Sequence, residues 1–189
     1  DWSQASSAAT ITDQAGNADL TSTGDPTLNG SISGVQAGLT DGSDDEWATS
    51  FTTIPQPFQI FVVGQLLQQG STHGIYGTVT SGGFVTLYDN NGSWRINNGS
   101  GVDDGPSDTN EHLFDHLANG ESSELNIDGV NKLSTGTGTN DMSDIAIGSL
   151  GGTSFGNLNV GQVLIYDTTA SGYSASDVRQ YLNSKWAVY

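Results

Sequence analysis

Apolar residues along this chain form short runs separated by turns that are rich in Gly, Asn, Asp and Ser. The longest run, Phe58–Leu67, contains many β-branched and aromatic residues and is bounded by Pro55 and Pro57 on one side and Gly70 on the other. Such side chains pack well on a pleated surface, and the run is too short to span a membrane as a helix. Because both alternating faces of the run are apolar, we predict a central strand that is covered on two sides.

Shorter β-type segments surround this run at the spacing of hairpins. Asn91-Gly92 and Asp128-Gly129 are the residue pairs that tight two-residue turns favour. The polar stretch 98–110 contains few β-forming residues and is predicted as a loop. The other segments that we predict as strands are 9–12, 32–39, 74–79, 84–88, 93–97, 112–118, 123–127, 130–133, 145–148 and 160–166.

Helical periodicity is confined to the C-terminal end of the chain. Ser174–Asp177 is typical of a helix start, and Val178, Tyr181, Leu182 and Trp186 then recur at helical spacing. We expect this apolar stripe to lie against a sheet.

Many short strands, Gly-rich turns and one terminal helix together predict an all-β fold. The expected architecture is a two-sheet antiparallel jelly-roll sandwich with one short C-terminal helix. The 189 residues suffice for a substantial core, and we expect residues 1–189 to form a single domain.

Most charged residues of the chain are acidic, with 21 acidic against 4 basic residues and a formal net charge of -17. A surface this negative repels nucleic acid and anionic lipid, so we expect no nucleic-acid partner and no membrane insertion. Two explanations stay open, a high-salt habitat and an exposed surface protein with little nonspecific binding. Cysteine is absent, which excludes disulfides and thiol chemistry.

The chain opens with Asp1 rather than Met, as expected of a processed product or of a part of a larger chain. We therefore expect it to belong to a larger polypeptide or to a homo-oligomeric assembly. The expected location is extracellular or on a virion surface, with high salt as one environment.

Alternation along three neighbouring predicted strands places polar and aromatic side chains on a common outward face. The candidate ligand-binding residues on this face are Tyr76, Thr86, Tyr88, Arg95 and Asn97. Aromatic rings that pack on a sugar ring, together with planar polar groups that bind hydroxyls, are typical of carbohydrate sites. The alternative is a sheet face stabilised by cross-strand side-chain pairs, with no ligand.

An acidic turn offers a second candidate site, for calcium. Asp41, Asp44 and Asp45 supply the carboxylate oxygens that calcium prefers. Their spacing differs from that of known calcium loops, and Asp side chains also cap backbone amides in tight turns. Both interpretations stay open at this point, and we expect no cofactor to be required.

Several further motifs occur in a recognisable order along the chain. They are a Trp-containing start at Trp2, Asp13–Asn17, the Asp-Gly-x-Asp-Asp segment Asp41–Asp45, Gln56–Val63 and the closing Tyr181–Trp186. In these motifs the chain resembles, over essentially its whole length, the laminin-G-like branch of the concanavalin A-like lectin/glucanase superfamily. The resemblance implies a jelly roll with one concave, solvent-facing sheet. The superfamily includes lectins, adhesion modules, glycan hydrolases, and virion fibre or decoration domains.

Glucanases of this superfamily carry a Glu-x-Asp-x-Glu motif on a strand, and this chain has Glu124-Leu125-Asn126 instead. Because the paired carboxylates of glycoside hydrolysis are missing there, we predict that the chain is not an enzyme. The predicted function is carbohydrate-binding adhesion, as in a spike, turret or tail-fibre receptor-binding domain, with a cell-surface glycan or glycoprotein as partner. The alternatives are a structural decoration or oligomerisation domain without its own ligand, and a glycan hydrolase or lyase.

Overall fold

The computed structural model describes residues 1–16, 18–79 and 84–189 and confirms the predicted antiparallel sandwich of two sheets. In chain order the strands are β1 Thr10–Ile11, β2 Leu20–Thr23, β3 Thr27–Ile32, β4 Val35–Asp41, β5 Glu46–Ile54, β6 Phe58–Leu66, β7 Thr72–Gly77, β8 Thr86–Asn90, β9 Ser93–Asn97, β10 Gly101–Pro106, β11 Glu111–Ala118, β12 Ser123–Ile127, β13 Val130–Thr135, β14 Met142–Ile147 and β15 Asn157–Asp167. The helix α1 spans Ala175–Trp186, and single 3-10 turns lie at Trp2–Gln4 and Gly120–Ser122. Asn17, the last residue of the motif Asp13–Asn17, lies outside the described residues.

The chain passes from one sheet to the other several times rather than completing one sheet first. The first sheet has the order β1-β2-β5-β14-β7-β8-β9-β10, and the second has the order β13-β12-β11-β6-β15-β4-β3. Strands that follow each other in the chain but lie in different sheets tie the two layers together around one core.

The central strand β6 is covered on both sides, as its sequence predicts. It pairs with β11 on one edge and with β15 on the other. Its residues Ile60 and Val62 lie in the core between the sheets. Phe61 and Val63 face outward and pack in a second apolar cluster with residues of α1. One strand thus joins the inner core to the layer beneath the helix.

The helix α1 begins at the predicted cap, where the Ser174 hydroxyl accepts a hydrogen bond of 3.4 Å from the Asp177 amide. Leu182 and Trp186 are fully buried against the outer face of the second sheet. Tyr181, which we placed on the same buried stripe, is 48% exposed, so that placement is wrong. Among the described residues no helix is long and apolar enough to cross a membrane.

One strand prediction and one loop prediction are also wrong. Residues 32–39 form parts of two strands, β3 and β4, because Ser33 and Gly34 adopt positive φ angles of 48° and 79° and make a tight turn between them. The predicted loop 98–110 contains the strand β10, which pairs with β9 from Asn97 to Ser93. This second difference matters for the candidate site, because β10 supplies one of its charged residues.

Candidate ligand-binding face

Four of the five predicted ligand-binding residues share the outward face of β8 and β9. Thr86 lies opposite Asn97, and Tyr88 lies opposite Arg95. The intervening pair, Leu87 and Ile96, points the other way and is fully buried in the core. We call the set Thr86, Tyr88, Arg95 and Asn97 the polar face.

Tyr76 does not belong to the polar face. A bulge between Gly74 and Tyr76 shifts the register of β7 against β8, and Tyr76 therefore lies opposite Leu87 and faces the core. It is 0% exposed, and its hydroxyl is hydrogen-bonded to His116 Nδ1. The prediction that Tyr76 binds ligand on the outer face is therefore wrong, because one extra residue moved its side chain to the other side of the sheet.

Arg95 is held in place by its neighbours on β10. Its Nη1 lies 3.3 Å from Asp103 Oδ2. The guanidinium also lies directly over Gly101, where a β-carbon would overlap it. The pairing of Gly101 with Asn97 and of Asp103 with Arg95 produces this arrangement. A flat, fixed cationic group therefore occupies the middle of the polar face.

The Tyr88 hydroxyl beside it stays protonated at neutral pH. Burial raises the pKa of Tyr88, the positive charge of Arg95 acts in the opposite direction, and the carboxylate of Asp103 raises the pKa further. The phenol is thus a hydrogen-bond donor as well as an aromatic surface.

Two polar atoms of this face have no hydrogen-bond partner among the described residues. They are Thr86 Oγ1 and Arg95 Nε, and both are buried. Thr86 as a residue is 3% exposed. Buried polar groups are nearly always hydrogen-bonded, because an unmade bond costs about 1–3 kcal/mol. Both atoms depart from this rule, and both belong to predicted ligand-binding residues.

A loop forms a wall along one side of the polar face. Residues 148–156 cross the outer surface of β7 so closely that a β-carbon on Gly74 would lie 2.5 Å from the Ser149 carbonyl carbon. The buried carboxylate of Glu46 holds this loop by accepting hydrogen bonds from the Ser149 hydroxyl and the Gly152 amide. The absence of a side chain at Gly74 permits the loop to approach β7 this closely.

The acidic turn has a different grouping from the predicted one. Carboxylate oxygens of Asp25, Asp44 and Asp45 lie within 4.8 Å of one another, and Asp41 is not part of this group. Asp45 is buried and uses its two oxygens to accept hydrogen bonds from the amides of Asp25, at 2.7 Å, and Asp41, at 3.0 Å. Burial raises the pKa of Asp45, while the two amide hydrogen bonds lower it. The turn therefore has its own structural use for Asp45, and calcium binding stays a prediction.

Asn126, the residue at the place where the glucanase motif has its Asp, lies on the outer face of the second sheet. Asn126 stands beside Asp115 in neighbouring strands. Asp115 is buried and ion-paired, with Arg179 Nε 2.5 Å from its Oδ2, and it also accepts a hydrogen bond from Gln59. Burial raises the pKa of Asp115, and the Gln59 and Arg179 contacts lower it. This carboxylate is committed to anchoring α1 to the sheet.

Comparison with known proteins identifies the fold but not the family. No protein-family model and no curated protein matches the chain. Among solved structures, the sialidase of Trypanosoma rangeli in complex with sialic acid is similar with a TM-score of 0.70 and 13% identity over 96% of this chain and 32% of that chain. The receptor binding domain of botulinum neurotoxin D is similar with a TM-score of 0.67 and 12% identity over 89% of this chain and 48% of that chain.

These similarities are at identities that show a shared fold alone. The chain spans about a third of the sialidase and about half of the toxin domain. The similarity is therefore one of fold, and the fold of this chain is the two-sheet sandwich described above.

Sequence reasoning missed Asp103 as the partner that fixes Arg95. The stretch Gly101–Pro106 contains one apolar β-branched residue, Val102, so no alternation marked it as a strand. The only signal was the abundance of carboxylates close in sequence to a rare Arg.

Proposed function

We propose that this protein is a non-enzymatic carbohydrate-binding module of the laminin-G-like type that acts in adhesion. The observation that carries the proposal is the polar face, where an aromatic ring, a fixed guanidinium, an amide and two unpartnered polar atoms lie together. Flat aromatic and planar polar groups are what sugar rings and their hydroxyls require. The order of sequence motifs supports the laminin-G-like assignment.

The ligand we propose is a neutral glycan on a cell surface. Asp103 offsets the charge of Arg95, and the chain as a whole carries a net charge of -17. An anionic sugar would have to approach against this field without an unpaired cation to receive it. A neutral sugar meets hydrogen-bond donors and acceptors already in position.

The absence of a glycosidase pair at the motif position supports a binding role. Asn126 stands where the motif has its Asp, and the neighbouring Asp115 is paired with Arg179. The similar toxin structure is described as a receptor binding domain, and an adhesion role for this chain agrees with that description. We further propose an extracellular or virion-surface location within a larger assembly.

Binding to an array of immobilised neutral and sialylated glycans tests the proposal. We expect binding to neutral glycans, and a loss of at least about tenfold in Arg95→Ala, since a hydrogen bond to a charged group contributes about 1.5–3 kcal/mol. Tyr88→Ala should weaken binding as well, because it removes the aromatic surface of the polar face. Tyr181→Ala is the matched control, because it removes an exposed Tyr from α1 on a different surface.

Two outcomes would contradict the proposal. One is the absence of binding to any glycan or host surface at matched salt by a protein whose circular dichroism shows it folded. The other is equal loss of binding in the Tyr181→Ala control. Stronger binding to sialylated than to neutral glycans would refute the neutral-ligand assignment while leaving sugar binding in place.

A further inference from the structure

The sandwich is open along one side, where β5 of the first sheet and β15 of the second leave a cleft between them. The cleft has a volume of about 490 Å³ and opens to solvent. Its apolar lining includes Leu20, Phe51, Ile54, Val163 and Ile165, each of which is half-buried. We call this cleft the seam.

Both long walls of the seam are strand edges without a partner. The strand β5 pairs with β2 only over Glu46–Ala48, although its pairing with β14 continues to Ile54. In the same way β15 pairs with β4 only over Asn157–Val160, although its pairing with β6 continues to Asp167. Within residues 1–16, 18–79 and 84–189, no strand pairs with the second edge of 49–54 or of 162–167. Each segment therefore presents free backbone donors and acceptors.

These two edges differ from two of the four outer edges of the sheets, those of β10 and β13. The outer strand β10 carries Asp103, Asp104 and Pro106, and the outer strand β13 carries Lys132. Charges and proline on an edge strand prevent other chains from adding to it. The free edge 49–54 contains neither, and the free edge 162–167 contains one charged residue, Asp167, at its end. The seam has thus kept its ability to pair.

We propose that the seam is a docking site for an extended segment of another polypeptide, which adds as a strand to the free edge of β5 or β15. Strand addition uses backbone hydrogen bonds for affinity and pockets for alternate side chains for specificity. The seam supplies both requirements, since its walls are free edges and its floor is apolar. A compact apolar molecule would fill the floor but leave the backbone groups of the walls to water.

The charge of the seam specifies the partner further. Its lining contains the carboxylates of Asp1 and Asp13 and no Lys or Arg, and the carboxylate of Asp1 is paired with Lys185 just outside the lining. The segment that fits has apolar side chains alternating with neutral polar ones and basic residues at its ends. A second copy of this chain fits less well, because both copies carry the same net charge of -17.

The test uses a synthetic peptide of about seven residues, a usual strand length, in which Val alternates with Thr and a Lys stands at each end. Acetyl and amide groups remove its terminal charges. We expect it to bind in a titration followed by amide chemical shifts, with the changes concentrated at residues 50–54 and 162–167. A peptide with Glu in place of Lys should bind about tenfold more weakly, and one with a central Pro should not bind.

Variants of the protein localise the site. Ala15→Trp adds an indole to an exposed residue of the seam lining and should weaken peptide binding at least about tenfold. Thr52→Trp makes the same test from β5 should the first variant fail to fold. Val130→Trp, on the exposed edge of β13, is the matched control and should leave binding unchanged.

Several outcomes would overturn the inference. They are no binding of the Lys peptide at millimolar concentration, shift changes at β10 or β13 instead, or equal weakening by Val130→Trp. A concentration-dependent dimer whose interface is the seam would also overturn it, since the occupant would then be a second copy. Peptide binding should persist in Arg95→Ala, so failure here and failure of the sugar proposal are distinguishable.

Discussion

At the scale of single residues, His112 illustrates how the acidic composition is used inside the fold. Its Nδ1 lies 2.7 Å from Asp128 Oδ2, and its Nε2 lies 2.9 Å from Asp108 Oδ1. The ring also packs edge-on against Trp94 and Phe114. Burial lowers the pKa of His112, but the two carboxylates outweigh burial and raise the pKa above its ordinary value.

This raised pKa predicts a stability contribution that depends on pH. A group whose folded pKa exceeds its unfolded pKa stabilises the fold fully below about pH 6.5, the unfolded value, and the stabilisation is lost as pH rises through the folded pKa. We expect His112→Gln to lose about 2 kcal/mol of unfolding free energy relative to the parent at pH 5.5, and less at pH 9. Urea unfolding at the two pH values measures this difference.

The comparison with the parent is essential, because His116 acts in the opposite direction. His116 is fully buried, and burial lowers its pKa to about 3, so it is neutral in the fold and hydrogen-bonded to Tyr76 and Asn98. Its contribution cancels when His112→Gln is compared with the parent at one pH. A loss of stability in His112→Gln that is the same at both pH values would contradict the prediction.

Residue orientations could be predicted from sequence only where strands are regular. Tyr88, Arg95 and Asn97 were placed correctly, because β8 and β9 are joined by a tight Asn-Gly turn that fixes their register. Tyr76 was not, because the bulge at Gly74 leaves no trace in the pattern of apolar residues. A glycine in a strand is compatible with a bulge and equally with the close approach of a loop. At Gly74 both occur.

At the scale of elements, Trp186 is the largest of the side chains that attach α1 to the second sheet. Trp186 is fully buried against Gly161, where a β-carbon would lie 2.7 Å from the indole ring, and its Nε1 donates a hydrogen bond of 3.1 Å to Gln162 Oε1. The Arg179–Asp115 ion pair adds a polar anchor nearer the start of the helix.

We expect Trp186→Ala to lower the free energy of unfolding by about 3–5 kcal/mol, the usual cost of removing a buried aromatic side chain. Urea unfolding followed by circular dichroism measures the loss. Tyr181→Ala is the control on the same helix, and its exposed side chain should cost less than about 1 kcal/mol. Equal effects of the two substitutions would show that the helix is not anchored by Trp186.

Elements with strong alternation or capping could be predicted from the sequence, and elements without them could not. The central strand β6 and the helix α1 agree with prediction to within a residue or two. The strand β10 was missed because its sequence, Gly-Val-Asp-Asp-Gly-Pro, lacks β-forming residues, and its pairing with β9 outweighs that local preference. The seam was missed because unpaired edges depend on where neighbouring strands end.

At the scale of the whole molecule, the net charge of -17 makes electrostatic repulsion a general destabilising influence. Salt shortens the range of this repulsion, since the Debye length falls from about 10 Å at 0.1 M to about 3 Å at 1 M. We expect the melting temperature to rise by roughly 3 °C or more between dilute buffer and molar NaCl. An unchanged melting temperature would remove the high-salt explanation of the composition.

The anchoring of Arg95 has a consequence for how tightly the polar face binds a ligand. A long side chain that must be immobilised by a ligand costs about 0.5–1.5 kcal/mol of conformational entropy on binding. Arg95 has already lost that freedom, because Asp103 and the backbone of Gly101 hold its guanidinium in the free protein. Binding should therefore leave the Arg95 side-chain order parameters nearly unchanged. In Asp103→Asn the same contacts should form at a larger entropic cost, and calorimetry would record weaker binding with a more unfavourable entropy.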